Sequence, residues 1–155
     1  MGEKLKKWLK QTKFESLDQE VALNIFVTSY FLRSKHDEIM SKYGLTMPQY
    51  NVLRILKGVY PDGHPRCDII SRMIEPAPDV TRIIDRLIKD KLVERFNSDT
   101  DKRLSMTRIT EKGINLLEKA NPEVKALSSY ISSTLSNTEK KTFSDLLEKI
   151  YGPHI

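Results

Sequence analysis

The chain has 155 residues, a formal net charge of +5 and 39% hydrophobic residues, a composition typical of one globular domain. No apolar run approaches the roughly 20 residues that cross a bilayer, and the basic N-terminus lacks the apolar stretch of a secretory signal. The single cysteine, Cys67, excludes an internal disulfide and fits a reducing compartment. We therefore expect a cytoplasmic protein with one domain and no membrane partner.

The first 15 residues are rich in lysine, and Leu5, Trp8 and Leu9 form a short apolar stripe among them. Such a stripe is typical of a frayed segment or of one that packs on a partner subunit. Binding to a membrane surface is the less favoured alternative.

A long helix is expected from Leu17 to about Tyr43, because Ser16 and Gln19 have the spacing of a capping box. Gly44 suits its end. Its apolar band is formed by Leu23, Phe26, Val27, Tyr30 and Phe31. A band this broad does not pack within one subunit alone, and it predicts a dimer interface.

Two further helices and a turn follow. Thr46 opens, through a second capping box, a helix that ends near Lys57 and points Tyr50, Leu53 and Leu56 inward. A connection ending at Pro65 leads to a short helix over residues 68–74. The segment 75–78 then turns the chain into the next helix, which makes a helix–turn–helix.

Groups that carry catalysis or bind metals are scarce. His36, His64 and His154 are isolated, and Cys67 has only His64 nearby, which is too few ligands for a metal site. The sequence has no nucleophile–base pair, no paired carboxylates placed for catalysis and no glycine-rich phosphate loop. We expect no metal, no cofactor and no enzymatic activity.

The helix from Pro78 to Lys91 has one apolar and one charged face. Its apolar residues recur with helical spacing, at Val80, Ile83, Ile84, Leu87 and Ile88. The opposite face carries Asp79, Thr81, Arg82, Asp85, Arg86 and Lys89. Pro78 suits the first helical turn, and Asp79 suits the positive end of the helix dipole. Alone, this pattern is that of any surface helix.

A hairpin with a basic tip follows this helix. Residues 92–96 and 104–109 are predicted to be strands, and the turn between them carries Lys102 and Arg103. A helix beside such a tip can grip DNA twice, with the helix in a major groove and the arginine in the minor groove. The nine Lys and Arg and the seven Asp and Glu of residues 78–113 give a net charge of only +2. The prediction therefore depends on where the arginines lie and not on bulk charge.

Two more helices close the chain. Thr110 caps the first, in which we expect a kink or a break at Pro122. Ser136 and Glu139 form a third capping box for the second, which Gly152 ends. This last helix is expected to bury Phe143, Leu146, Leu147, Ile150 and Tyr151.

The hairpin also carries a family motif. The pattern Asp101-x-Arg103-xxx-Thr107-x-Ile109-Thr110-xx-Gly113 resembles the wing signature of the MarR family of bacterial transcription regulators, D-x-R-xxx-V-x-L-T-xx-G. Residues 79–87 resemble that family's recognition helix, and residues 92–95 resemble its strand entry. The resemblance extends from about residue 16 to about residue 151.

The resemblance implies a mainly α fold with a small β-wing, in a single MarR-like domain over residues 1–155. Residues 46–113 would form a winged helix–turn–helix that binds DNA, and residues 16–45 and 114–151 would form the dimerisation helices. A two-fold dimer would place two recognition helices about 34 Å apart on a near-palindromic stretch of double-stranded DNA.

Site roles follow from the same resemblance and from the charged helix face. Arg103 is the expected wing-tip arginine, and Asp101 is expected to hold it. The other expected DNA contacts are Pro78, Asp79, Thr81, Arg82, Arg86 and Lys102, with Arg72 and Arg95 as weaker phosphate candidates.

Relatives in this family often respond to small aromatic acids or phenols bound between the dimerisation and DNA-binding parts. Phe26, Tyr30, Phe31 and Tyr50 are candidates for such a pocket, although aromatic residues at helical spacing more often belong to a plain core. Some relatives sense oxidants through a cysteine near the start of the first long helix. Cys67 lies elsewhere, so peroxide sensing is not expected.

The predicted function is that of a homodimeric, sequence-specific regulator of transcription, a repressor that responds to a ligand. The alternative is a winged-helix module that binds a protein partner and has lost specific DNA binding.

Overall fold

The computed structural model describes residues 2–75 and 79–154. Within them it has seven α-helices, three strands and a short 3₁₀ turn at the end. In chain order these are α1 (Glu3–Leu9), α2 (Leu17–Lys42), α3 (Met47–Lys57), β1 (His64–Pro65), α4 (Arg66–Ser71), α5 (Val80–Lys89), β2 (Val93–Asn97), β3 (Ser105–Ile109), α6 (Glu111–Thr134), α7 (Asn137–Tyr151) and the 3₁₀ turn (Gly152–His154).

The hydrophobic core lies where α3, α5, β3 and the first half of α6 meet. The side chains of Tyr50, Leu53 and Leu56, which we expected to face inward, are all buried. Ile84 and Leu87 from α5 are fully buried against them. Each such Leu or Ile stabilises the fold by roughly 1.5–3 kcal/mol relative to an exposed side chain. This core fixes α5 with its charged face outward.

The helix starts follow the local signals of the sequence. Ser16 Oγ accepts the Gln19 N–H at 3.1 Å, although the Gln19 side chain binds the Glu15 N–H and not the Ser16 N–H. Thr46 and Ser136 form complete capping boxes with Gln49 and Glu139. Gly44 ends α2 with a φ of 67°, in the left-handed region that glycine adopts without strain.

The sheet has three antiparallel strands in the order β1–β3–β2. The hairpin pairs Val93 with Ile109 at its base and Asn97 with Ser105 at its tip. Strand β1 was not predicted, since residues 58–65 were interpreted as a connection. It forms because Gly63 has a φ of 85° and brings the chain so close to β3 that a Cβ there would lie 2.5 Å from the Thr107 carbonyl oxygen.

The predicted bounds of one helix were wrong, and of the two outcomes expected at Pro122, a kink or a break, the break does not occur. Helix α4 covers Arg66–Ser71, which is earlier and shorter than the predicted 68–74, and Ile70 on it is 44% exposed. Helix α6 is a single element that runs through Pro122 without a break. The buried side chains of Leu117 and Ala120 precede this proline, and the Glu123 carboxylate that follows it binds α2. Packing on both sides outweighs the lost backbone hydrogen bond, which costs about 3 kcal/mol.

The prediction that α7 buries its apolar face was also wrong for the single chain. Phe143, Leu146, Ile150 and Tyr151 are 46–53% exposed, and no residue of α7 is buried. An apolar groove of about 520 Å³ runs between α7, α2 and the end of α6. Helical spacing sets which side chains share a face, but a second surface is needed to bury them.

The residues of the apolar stripe in the first 15 residues differ in burial. Leu5 is buried, while Trp8 keeps 59% of its surface exposed. Helix α1 therefore packs through Leu5 on its own chain. None of the helices in the described part of the chain is long and apolar enough to cross a membrane.

Candidate nucleic-acid interface

Helix α5 presents its charged face to solvent because its other face enters the core. Its N-cap is Asp79, whose Oδ1 accepts the Arg82 N–H at 3.0 Å, and whose Oδ2 lies 3.6 Å from Arg82 Nε. The Arg82 side chain is 86% exposed. Arg86 is exposed as well, and it lines an open groove with Tyr43 and Lys112. Two arginines near one face can thus reach a phosphate or a base edge without disturbing the core.

Two polar contacts fix the position of α5. Arg66 Nη1 donates to Thr81 Oγ1 at 2.9 Å, which joins the start of α4 to the first turn of α5. Arg95 Nη2 on β2 lies 2.8 Å from Asp85 Oδ1, which joins α5 to the hairpin. Thr81 and Arg95, both expected to contact DNA, therefore already have partners within the protein. Asp85 pairs with an arginine of the neighbouring strand and so is not merely a solvated charge.

The hairpin tip is a hydrogen-bonded loop over residues 98–104. Ser98 N donates to the Leu104 carbonyl at 3.0 Å, and Leu104 N donates to the Asp101 carbonyl at 2.9 Å. Asp101 Oδ1 accepts the backbone N–H of Arg103 at 3.0 Å. Asp101 therefore orders the Arg103 backbone, and no contact with the guanidinium is seen. In the residues described, Lys102 and Arg103 are exposed and form no ion pair.

The end of the wing motif joins the hairpin to α6. Thr110 N donates to the Leu92 carbonyl at 3.0 Å, and Thr110 Oγ1 donates to the Lys91 carbonyl at 2.8 Å. The same Oγ1 caps α6 by accepting the Gly113 N–H at 3.2 Å. A Cβ on Gly113 would lie 2.3 Å from the Leu92 carbonyl oxygen. Thr110 and Gly113 thus set where the hairpin leaves the core.

The remaining basic candidates are placed less clearly for binding. Pro78 lies outside the described residues, and Arg72 is exposed just after α4. Arg66 was missed by sequence reasoning, because its contact with Thr81 spans 15 positions and depends on tertiary packing. Arg108 was missed as well. Its Nε lies 2.6 Å from Glu94 Oε1, and its guanidinium stacks 4.8 Å from the centre of the Phe96 ring.

A cavity of about 590 Å³ lies between the long helix α2 and the winged helix. Its lining is mainly apolar and includes Leu32, Met47 and Met73, with Phe143 from α7. Arg33 and Glu75 pair at its edge. His36 also lines it, and within the described residues its buried Nδ1 has no hydrogen-bond partner.

The four aromatic residues proposed for a ligand pocket do not come together. Phe31 lines the neighbouring apolar groove, where its ring centre is 5.9 Å from that of Tyr130. Tyr50 is buried in the core, while Phe26 and Tyr30 are 69% and 61% exposed. Neither cavity could be located from aromatic spacing, because both are bounded by helices distant in sequence.

Comparison with known proteins identifies relatives along most of the chain, although no family model matches it. The HTH-type transcriptional regulator MhqR of Bacillus subtilis is 29% identical over 135 residues, which are 84% of this chain and 92% of MhqR. A MarR transcription factor of Planctomyces limnophilus is 32% identical, with a TM-score of 0.66 over 88% of this chain and 98% of its own. The MepR–DNA complex of Staphylococcus aureus has a TM-score of 0.77 at 23% identity, and covers 85% of this chain and 96% of its own.

Proposed function

Because the chain belongs to the MarR family of winged helix–turn–helix regulators of transcription, we propose that it is a homodimeric repressor that binds a near-palindromic operator and is released by a small ligand. As a DNA-binding regulator of this family it is not an enzyme. The operator, the dimer, the DNA contacts and the ligand are the parts that we propose.

The observation that carries the proposal is that contacts on both sides hold α5 in place while its charged face stays exposed to solvent. The Arg66–Thr81 and Asp85–Arg95 contacts hold the helix from both sides, while the Arg82 side chain stays 86% exposed. A helix held in this way, with exposed arginines, is suited to a major groove, where an arginine binds guanine O6 and N7 in a bidentate manner. The exposed Arg103 at the hairpin tip is suited to a narrow minor groove.

The dimer is supported by the apolar side chains that the single chain leaves open. They lie on α2, on the end of α6 and on α7, and they include Phe26, Tyr30, Tyr130, Leu146 and Ile150. We call these five residues the open face. Apolar exposure on this scale is typical of a protein–protein interface. A two-fold axis through it would present two α5 helices about 34 Å apart, one per operator half-site.

The 590 Å³ cavity between α2 and the winged helix is the proposed ligand site. Its volume lies in the range of pockets that hold drug-sized molecules, and its walls are mainly apolar with a few polar groups, as ligand pockets usually are. We propose a small aromatic or phenolic effector. The buried Nδ1 of His36 could hydrogen-bond its hydroxyl.

The test is fluorescence anisotropy of the purified protein with DNA from upstream of its own gene, and with a scrambled duplex as control. We expect a preference for the native DNA on the order of a thousandfold at physiological salt. Equal, weak and salt-sensitive binding to both duplexes, together with no enriched fragment in a genome-wide DNA pull-down, would overturn the proposal. It would favour a winged-helix module that binds a protein partner.

A further inference from the structure

One ion pair joins α2 to the segment that leads into α5. Arg33 donates two hydrogen bonds to the Glu75 carboxylate, from Nη1 to Oε2 at 2.9 Å and from Nη2 to Oε1 at 2.5 Å. The two side chains are 53% and 60% exposed, so solvent screening limits the strength of the pair. The two-point geometry nevertheless fixes direction as well as distance.

The same segment is also held by the winged helix itself. The N–H of Ile74 donates to Asn51 Oδ1 on α3 at 2.9 Å. Residues 73–75 are therefore tied to α3 on one side and to α2 on the other. Glu75 is four positions before Asp79, the N-cap of α5, so the pair holds the chain close in sequence to the start of that helix.

These residues also form part of the cavity wall. Arg33, Met73, Ile74 and Glu75 all line the 590 Å³ cavity between α2 and the winged helix. A molecule that fills this cavity must therefore meet the pair or the segment that the pair holds. The pair therefore belongs both to the wall of this cavity and to the contacts that hold the segment before α5.

We propose that the Arg33–Glu75 pair is the positioning contact that holds the start of the recognition helix α5 relative to α2. When Arg33 and Glu75 are paired, they hold the segment before α5 so that α5 keeps the orientation that meets DNA; when the pair is removed, that orientation is less well held. This inference rests on the proposed DNA-binding function, and it assigns to two residues the positioning of the helix that carries that function.

The test compares Arg33→Gln and Glu75→Gln with the charge swap Arg33→Glu combined with Glu75→Arg. Each neutralisation should weaken operator binding about three- to fivefold, and the swap should restore it. The melting temperature should not change, because the pair is largely exposed. Lys35→Gln is the matched control. It removes the Lys35–Glu38 pair of 2.9 Å, which is similarly exposed but lies within α2.

If the two substitutions acted only through the net charge of the protein, their effects on DNA binding would be opposite. Loss of a positive charge at Arg33 would weaken DNA binding, whereas loss of a negative charge at Glu75 would strengthen it. Weakening by both substitutions, with rescue by the swap, supports the positioning contact. Opposite effects, or no effect of either substitution, would overturn it.

A second measurement needs no DNA. Amide hydrogen exchange of residues 79–89 in the free protein should rise in both single variants, return to normal in the swap and stay unchanged in Lys35→Gln. Unchanged exchange in the single variants would overturn the positioning contact even if the wild-type protein binds its operator. Raised exchange in a protein that binds no operator would overturn the proposed function and leave the positioning contact standing.

Discussion

Arg103 is the side chain on which the minor-groove part of the proposal depends. It is exposed at the hairpin tip, and Asp101 orders its backbone without occupying its guanidinium. We expect Arg103→Ala to weaken operator binding about tenfold and to lower the slope of log K against log salt by about 1. The melting temperature should stay the same, because the side chain contributes no buried contact. Anisotropy titrations at several salt concentrations measure both quantities.

The control for Arg103→Ala is Lys125→Ala, which removes one positive charge from an exposed position on α6. If long-range charge alone attracts the DNA, the two variants should weaken binding to a similar small extent. If the wing tip touches DNA, only Arg103→Ala should have the large effect. Wild-type affinity in Arg103→Ala would show that the wing does not contact the operator.

At the scale of elements, the join between the hairpin and α6 depends on the absence of a side chain at Gly113. A Cβ there would lie 2.3 Å from the Leu92 carbonyl oxygen and 2.7 Å from Ile109 Cγ1, so α6 would have to move away. We expect Gly113→Ala to destabilise the fold by about 2–3 kcal/mol, the usual cost of overpacking. That corresponds to a fall in melting temperature of about 5–10 °C, which calorimetry would measure.

Gly152→Ala is the matched control for Gly113→Ala. Gly152 is helical, and its Cβ would have no heavy atom within 4 Å. Its stability should change by no more than about 1 kcal/mol, the difference in helix propensity between glycine and alanine. Equal melting temperatures for both variants and the wild type would contradict the close approach of α6 to Leu92.

How far the sequence predicted each element depends on the range of the interactions that form it. The capping boxes at Thr46 and Ser136 are contacts between residues three apart, so they located the helix starts well. Strand β1 depends on pairing of His64 with Thr107, 43 positions away, and gave no local signal. Pro122 gave a local signal for a kink or a break, and α6 continues through it as one helix that packs on α2 and α3.

For the candidate site too, the sequence predicted the features of short segments and missed those that depend on tertiary packing. The exposed faces of α5 and of the hairpin tip followed from helical period and turn composition, because each is a property of a short segment. The partners of Thr81 and Asp85, and the cavity beside Arg33, arise only when distant segments pack together. Pattern alone therefore located the charged groups but not the contacts that already occupy some of them.

At the scale of the whole molecule, the open face needs a second surface. Leu146 on α7 is 51% exposed and lines the apolar groove with Phe31 and Tyr130. We expect Leu146→Glu to convert the dimer to monomer, because a buried, unpaired carboxylate costs far more than the interface gains from one leucine. Light scattering on a sizing column would show the mass fall from two chains to one.

Operator affinity should fall together with the dimer, because two linked half-sites bind far more tightly than one. Lys141→Gln is the control: it lowers the net charge by the same one unit on the face of α7 opposite Phe143 and Leu146, and it should keep both the mass and the affinity.

A wild-type protein that is monomeric at micromolar concentration would contradict the dimer. A dimeric Leu146→Glu variant would place the interface on another surface. If the Leu146→Glu variant is monomeric but binds the operator with full affinity, a single winged helix suffices for binding. The proposal of a near-palindromic operator would then lose its structural basis.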